Sequence, residues 1–283
     1  MKEVLKSILD KVGYRILDKA SLLPEDLRGE VDHPLLAKYM ARRHTFLLKA
    51  NFKKCVVLFR FSCEKNGNNP LVNTVIDYIE NGHGSYSGSK LKRFFTDYTP
   101  NSVAGRFNLD GKINEELLQL PPIFTVYPWE KANMKARKKF REGYVKVETG
   151  QRGRELSLDH GWGCFGPISQ ERGELKMQTL IGLTKSIRKK GYLRGGGHEE
   201  DILASVLING NDYKYLIKNG THRLVVLSAL DYESAPIRVL PTSIPAFIYR
   251  REVDYWPKVQ DGLYTRGQAL NIFDSIFKGD GNY

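Results

Sequence analysis

A chain of 283 residues with 41% apolar content is long enough for one large domain or two modest ones, and it can bury a core without covalent staples. Cys55, Cys63 and Cys164 include no Cys-x-x-Cys pair, which excludes a disulfide framework or zinc knuckle and suggests a reducing cytoplasm. The formal charge of +12 and pI ≈ 9.4 favour polyanionic partners such as nucleic acid, anionic lipid or nucleotide phosphates, with a dispersed lysine-rich surface as the alternative.

Residues 1 to 19 read as an amphipathic helix, with Val4, Leu5, Ile8, Leu9 and Val12 at spacings of three and four. Lys2, Glu3, Lys6, Asp10 and Lys11 interrupt its apolar character, so it fits neither a signal peptide nor a membrane span. A second helix is expected from Pro34 to Arg43 and a first strand from Cys55 to Phe61. Leu71 to Asn81 has helical periodicity, the glycine- and serine-rich 82–89 stretch is loop, and Lys90 to Tyr98 forms a short helix.

Prolines from Leu120 to Trp129 mark a crossing into the second half of the chain. Lys131, Lys135, Arg137, Lys138, Lys139 and Arg141 then make the densest basic run, read by default as a solvated helix face and otherwise as a polyphosphate or nucleic-acid contact. The glycine-rich stretch from 150 to 166 contains Asp159, His160 and Cys164. A Cys/His nucleophile pair is the lesser reading there, because catalytic pairs meet in space rather than along the chain. The favoured reading is a loop packed beside a ligand site and anchored by Trp162 and Phe165. Tyr127, Trp129 and Trp256 are taken as packing residues.

From Glu174 a helix marked by Leu175, Leu180, Leu183 and Ile187 stops at Lys189-Lys190-Gly191. Ile202 to Ile208 and Tyr213 to Ile217 pair as a hairpin across Asn209-Gly210-Asn211-Asp212. A helix from Leu224 to Leu230, a strand from Ala235 to Leu240 and a final amphipathic helix carrying Ala269, Leu270, Ile272, Phe273 and Ile276 complete the pattern.

Between the second hairpin strand and the next helix stands Asn219-Gly220-Thr221-His222-Arg223. A strand followed at once by glycine and a helix leaves backbone N–H groups unpaired at the positive end of the helix dipole, which suits an anion. Thr221 adds a hydroxyl, His222 a donor or proton shuttle, and Arg223 a bidentate phosphate clamp. An ordinary helix start capped by Asn219 or Thr221 is the competing reading.

Leu183-Thr184-Lys185-Ser186-Ile187-Arg188-Lys189-Lys190-Gly191 resembles the Leu-x-x-Ser-Ile-x-x-x-Gly helix of the ParB/sulfiredoxin superfamily. Gly220-x-His222-Arg223, Leu224, Ala229-Leu230 and Ala235-Pro236-Ile237-Arg238-Val239 resemble that family's following block, in the same order, over residues 174 to 242. The resemblance implies a mixed α/β (α+β) fold, with residues 171–283 as a ParB/sulfiredoxin-like nucleotide-binding domain and residues 1–170 as a mixed α/β region packed on it, able to shape an acceptor pocket. It also implies that ATP or another nucleoside di- or triphosphate binds with Mg2+ at Asn219, Gly220, Thr221, His222 and Arg223. Thr221 stands where sulfiredoxins carry their catalytic cysteine, so sulfinic acid reduction is not expected; Asn219 replaces the aspartate of the kinase-type motif.

Gly195-Gly196-Gly197-His198-Glu199-Glu200-Asp201 stands where partition proteins carry a Gln-Pro segment. Its glycines allow close backbone approach to a ligand, and its acids could act as a general base or hold magnesium. By the resemblance to free-serine kinases, Glu199 or Glu200 is the candidate base, with His222 the third catalytic candidate; a solvated loop is the alternative. The expected activity is a nucleotide-dependent phosphotransferase acting on a small hydroxyl compound, a sugar or serine-like acceptor. The 127–129, 165–169 and 255–259 segments resemble ParB-like proteins encoded among bacterial surface-polysaccharide genes, which implies a sugar acceptor. The alternative is a DNA-binding ParB-like CTPase or a nuclease, but the stretch after Leu240, with one clear helix, leaves no helix-turn-helix domain in its usual place.

Overall fold

The computed structural model describes residues 23–132, 134–150, 153–194, 201–242 and 244–281. The helix expected over residues 1 to 19 and the segment from Gly195 to Glu200, including both glutamate candidates, lie outside the described residues.

The described elements in chain order are β1 (Glu25–Asp26), α1 (Pro34–Met40), β2 (Phe46–Asn51), β3 (Cys55–Val57), α2 (Pro70–Asn81), α3 (Lys90–Asp97), α4 (Val103–Phe107), α5 (Glu115–Gln119), α6 (Met134–Gly150) and α7 (Gln170–Lys190). There follow β4 (Ile202–Asn209), β5 (Asp212–Asn219), α8 (Thr221–Ala229), β6 (Ser234–Val239), β7 (Phe247–Tyr249), α9 (Pro257–Gln260) and α10 (Arg266–Lys278). The fold is mixed α/β, built on one mixed sheet of order β1-β2-β6-β4-β5-β3, with β7 beside β4.

Strands from both sides of residue 170 share this sheet: β2 lies antiparallel to β6 with Leu48 opposite Ile237, and β3 lies parallel to β5 with Val56 opposite Leu216. The sheet is covered on both faces, which is why β4 is apolar from Ile202 to Ile208 apart from Ser205, whose hydroxyl donates to Pro245 O at 2.5 Å. Ala204, Val206, Tyr215 and Ile217 meet the side carrying Val72, Val75, Leu180 and Leu224 of α2, α7 and α8. Leu207 and Leu216 face Trp129, Trp256, Ile272 and Phe273 on the other.

Local chemistry sets the helix ends. Asn69 caps α2 ahead of Pro70, and Gly82 stops it at φ 73. Ser169 accepts from Arg172 N at 3.1 Å, so α7 begins at Gln170, ahead of its first apolar marker. The strand expected through Phe61 ends at Val57, because the chain turns back at Arg60 (φ 73) and Val57 N donates to Phe61 O at 2.9 Å. Among the described residues no helix is long and apolar enough to cross a membrane.

Candidate functional site

At the end of β5 the chain enters α8 through Gly220, which lies in the left-handed region at φ +79. A Cβ there would stand 3.0 Å from both Cα and Cγ1 of Ile202 at the start of β4. Glycine is therefore required twice, by the backbone angle and by the approach of the two strand ends. Asn219 Oδ1 accepts from Gly220 N at 2.8 Å, and the first helical bond runs from Leu224 N to Gly220 O at 3.0 Å. No side chain caps α8, so the helix-capping reading of Asn219 or Thr221 does not hold. The leading N–H groups of Thr221, His222 and Arg223 belong to an uncapped helix start, with the dipole's positive end behind them.

The side chains divide between the mouth of the turn and its support. His222, half-buried, lies with Nε2 3.0 Å from Lys176 Nζ on α7. A lysine ammonium has only protons to give, so this pairing makes Nε2 the acceptor and puts the imidazole proton on Nδ1. Lys176 also reaches the glycine-rich loop, since a Cβ on Gly163 would stand 2.9 Å from its Nζ. Arg223 turns partly back toward the sheet, with Nη2 donating to Asp201 O at 3.3 Å. It braces the strand start while remaining beside the turn.

Asp201 is the described carboxylate of the acidic group, and both of its oxygens are engaged by arginines. It is buried, gripped by Arg194 through Nε at 2.6 Å and Nη2 at 3.1 Å, and approached by Arg238 Nη1 at 3.6 Å. Arg238 is itself buried and donates through Nε to Thr45 Oγ1 at 2.8 Å. Among the described residues no group of three His, Cys, Asp or Glu side chains could hold a metal ion.

Lys176 is the residue that sequence reasoning missed. Its spacing from Leu180, Thr184 and Ile187 places it on the inward face of α7, and a lysine on an apolar stripe was the readable signal. Asp159 and His160 do not meet Cys164 in a catalytic pair: Ser157 Oγ donates to Asp159 Oδ2 at 2.9 Å, and His160 Nε2 lies 3.7 Å from Glu171. Trp162 and Phe165 are buried, as anchors should be. The basic run splits, with Lys131 and Lys139 exposed but Arg137 buried against Glu130.

A hollow of about 440 Å³ lies elsewhere, lined by Asp26, Arg28, Lys49, Ser234 and Pro236 at the β1–β2–β6 edge, with no residue of the turn in its wall. Its Asp26–Arg28 pair is exposed, and Arg28 holds the Asp26 carboxyl below its ordinary range. Compared with known proteins, the chain matches no family model, no curated protein and no solved structure.

Proposed function

We propose that the chain is a nucleotide-dependent phosphotransferase whose Gly220–Arg223 turn binds the phosphates of ATP or another nucleoside di- or triphosphate. The supporting observation is an uncapped helix start entered through a left-handed glycine, with the Lys176–His222 pair at its mouth. The short sequence resemblance to the ParB/sulfiredoxin superfamily points the same way.

In the proposed reaction, an acceptor hydroxyl oxygen bonds to the terminal phosphorus while the bond from that phosphorus to the bridging oxygen breaks. The hydroxyl proton passes to Glu199 or Glu200, and the shortened nucleotide leaves. The backbone N–H groups of the turn, Lys176 and Arg223 would offset phosphate charge, which is the main demand of phosphoryl transfer. His222 would orient Lys176 rather than take the proton, because its Nε2 already accepts from the lysine. The acceptor class is a small hydroxyl compound, a sugar or serine-like molecule.

Nucleotide titration of wild type and Arg223→Ala tests the site; we expect the variant to bind at least about tenfold more weakly, roughly 1.4 kcal/mol. Equal affinity would remove the turn as the phosphate site. Phosphorus NMR with ATP, CTP and ADP across sugar and serine-like acceptors tests the reaction. Glu199→Gln or Glu200→Gln should stop transfer and spare nucleotide binding, and hydrolysis seen only with DNA would replace this reading with a partition-type CTPase.

A further inference from the structure

Beside the Gly161–Gly166 loop three arginines, Arg106, Arg137 and Arg141, lie within electrostatic reach of one another, and one of them, Arg137, pairs with the carboxylate of Glu130. Arg106 of α4 is buried; its Nη2 donates to Tyr127 Oη at 3.1 Å, and its guanidinium lies 5.3 Å from the centre of the Phe165 ring. Arg137 of α6 is 7% exposed and pairs through Nη2 with Glu130 Oε2, while its Nε has no partner. Arg141, one helical turn on, stacks 4.4 Å over Trp162, and its Nε is buried and unpartnered. Glu130, 1% exposed, spends Oε2 on Arg137 and on Tyr127 N at 3.0 Å and leaves Oε1 unsatisfied.

Uncompensated buried charge and unsatisfied buried polar atoms are both costly, so a cluster with two spare guanidinium donors, a spare carboxylate oxygen and excess positive charge calls for a partner. Burial, followed by the charge of Arg137, pulls Arg141 down to about 10, with Cys164 and Tyr127 opposing the shift and Arg106 adding to it. Arg141 and Cys164 are only half-buried, so the cluster has a mouth. That mouth adjoins the phosphate turn through a short chain of contacts: Arg141 on Trp162, the next residue Gly163 against Lys176, and Lys176 on His222.

We propose that Arg106, Arg137 and Arg141 form a second anion site, which receives a carboxylate or phosphate group carried by the acceptor. Guanidinium groups suit both anions through paired N–H donors, and Glu130 Oε1 can accept a hydroxyl of the same molecule. Resting on the phosphotransferase reading, this narrows the acceptor from any small hydroxyl compound to one that is already anionic.

The test is calorimetric titration of the full chain with glycerol, glycerate and glycerol 3-phosphate, which share a skeleton and differ in having no anion, a carboxylate or a phosphate. We expect glycerol to show no binding and at least one anionic compound to bind, with affinity at least tenfold weaker in Arg141→Gln. Arg141→Gln removes a half-buried charge that Arg137 and Arg106 repel, which offsets the lost stacking on Trp162, so it should fold and retain nucleotide binding. The proposal is overturned if neither anion binds, if Arg141→Gln binds them as wild type does, or if Arg223→Ala alone abolishes binding. Anion binding that depends on Arg141 in a protein that binds no nucleotide would keep this site and remove the kinase reading; nucleotide binding without anion binding would do the reverse.

Discussion

Replacing Gly220 by alanine tests the geometry on which the site depends. At φ +79 a non-glycine residue costs roughly 1–2 kcal/mol from backbone strain alone. The added Cβ would stand 3.0 Å from Ile202 Cα, a backbone atom that cannot rotate away, and forcing atoms into packed space costs about 1–3 kcal/mol more. Gly210 in the β4–β5 turn supplies the control, because its φ is +59 and nothing lies within 4 Å of the added Cβ. Gly210→Ala should therefore cost only the strain, and Gly220→Ala should exceed it by about 1–3 kcal/mol. In urea, with a slope of about 3 kcal/mol per molar, Gly220→Ala should lower the midpoint by about 1 M at unchanged slope. If the two variants fall within about 0.5 kcal/mol of one another, the close approach of the turn to β4 is wrong, and the uncapped helix start loses its support.

Asp201→Ala would remove the buried carboxylate that Arg194 grips and Arg238 approaches, and should cost about 3–5 kcal/mol by chemical denaturation; a loss of turnover at unchanged stability would instead put Asp201 in the catalytic group. Lys218 on β5 donates to Leu240 O, and burial pulls its ammonium from 10.5 to about 7. Between pH 7 and 10.5 the unfolded chain holds this proton and the folded chain has lost it, so wild-type stability gains with rising pH through that window. Lys218→Met should accordingly be more stable than wild type below pH 7, with the advantage shrinking toward pH 10.5; a pH-independent difference in paired denaturation curves would show that the lysine is not desolvated.

The elements legible in the sequence were those whose determinants are local. Asn209-Gly210 announces the β4–β5 hairpin, and the spacing of Leu180, Leu183 and Ile187 announces α7, because turn chemistry and helical period are written within a few residues. The glycine turn was visible for the same reason. By contrast, β2 carries Phe-Leu-Leu-Lys-Ala-Asn with no clean alternation, and it is a strand because β6, far along the chain, pairs with it. The early end of β3 turns on Arg60 at φ 73, which nothing in Phe-Arg-Phe signals. The fate of the basic run was only partly open to local reading: Glu130, which takes Arg137, directly precedes the run, but Trp162, which covers Arg141, comes from the later glycine-rich loop.

The sheet order also bears on how nucleotide and acceptor could meet. The turn hangs from β5, whose outer neighbour β3 comes from the first half of the chain, while β6 is flanked by β2 from the same half. A fragment beginning at residue 171 would bare the outer edges of both β5 and β6, and would lose Trp129 from the core beneath the sheet. The first half is thus structural support for the turn as well as the source of Arg106, Glu130, Arg137 and Arg141. Because α7 follows the glycine-rich loop directly and carries Lys176 to His222, the proposed anion site and the phosphate turn are held by one continuous set of contacts. Motion that separated them would have to open the Gly163–Lys176 approach or part α7 from α8, whose packing includes the buried Leu180 and Leu224. An acceptor and a nucleotide bound at the two sites would therefore be linked through Trp162, Gly163, Lys176 and His222.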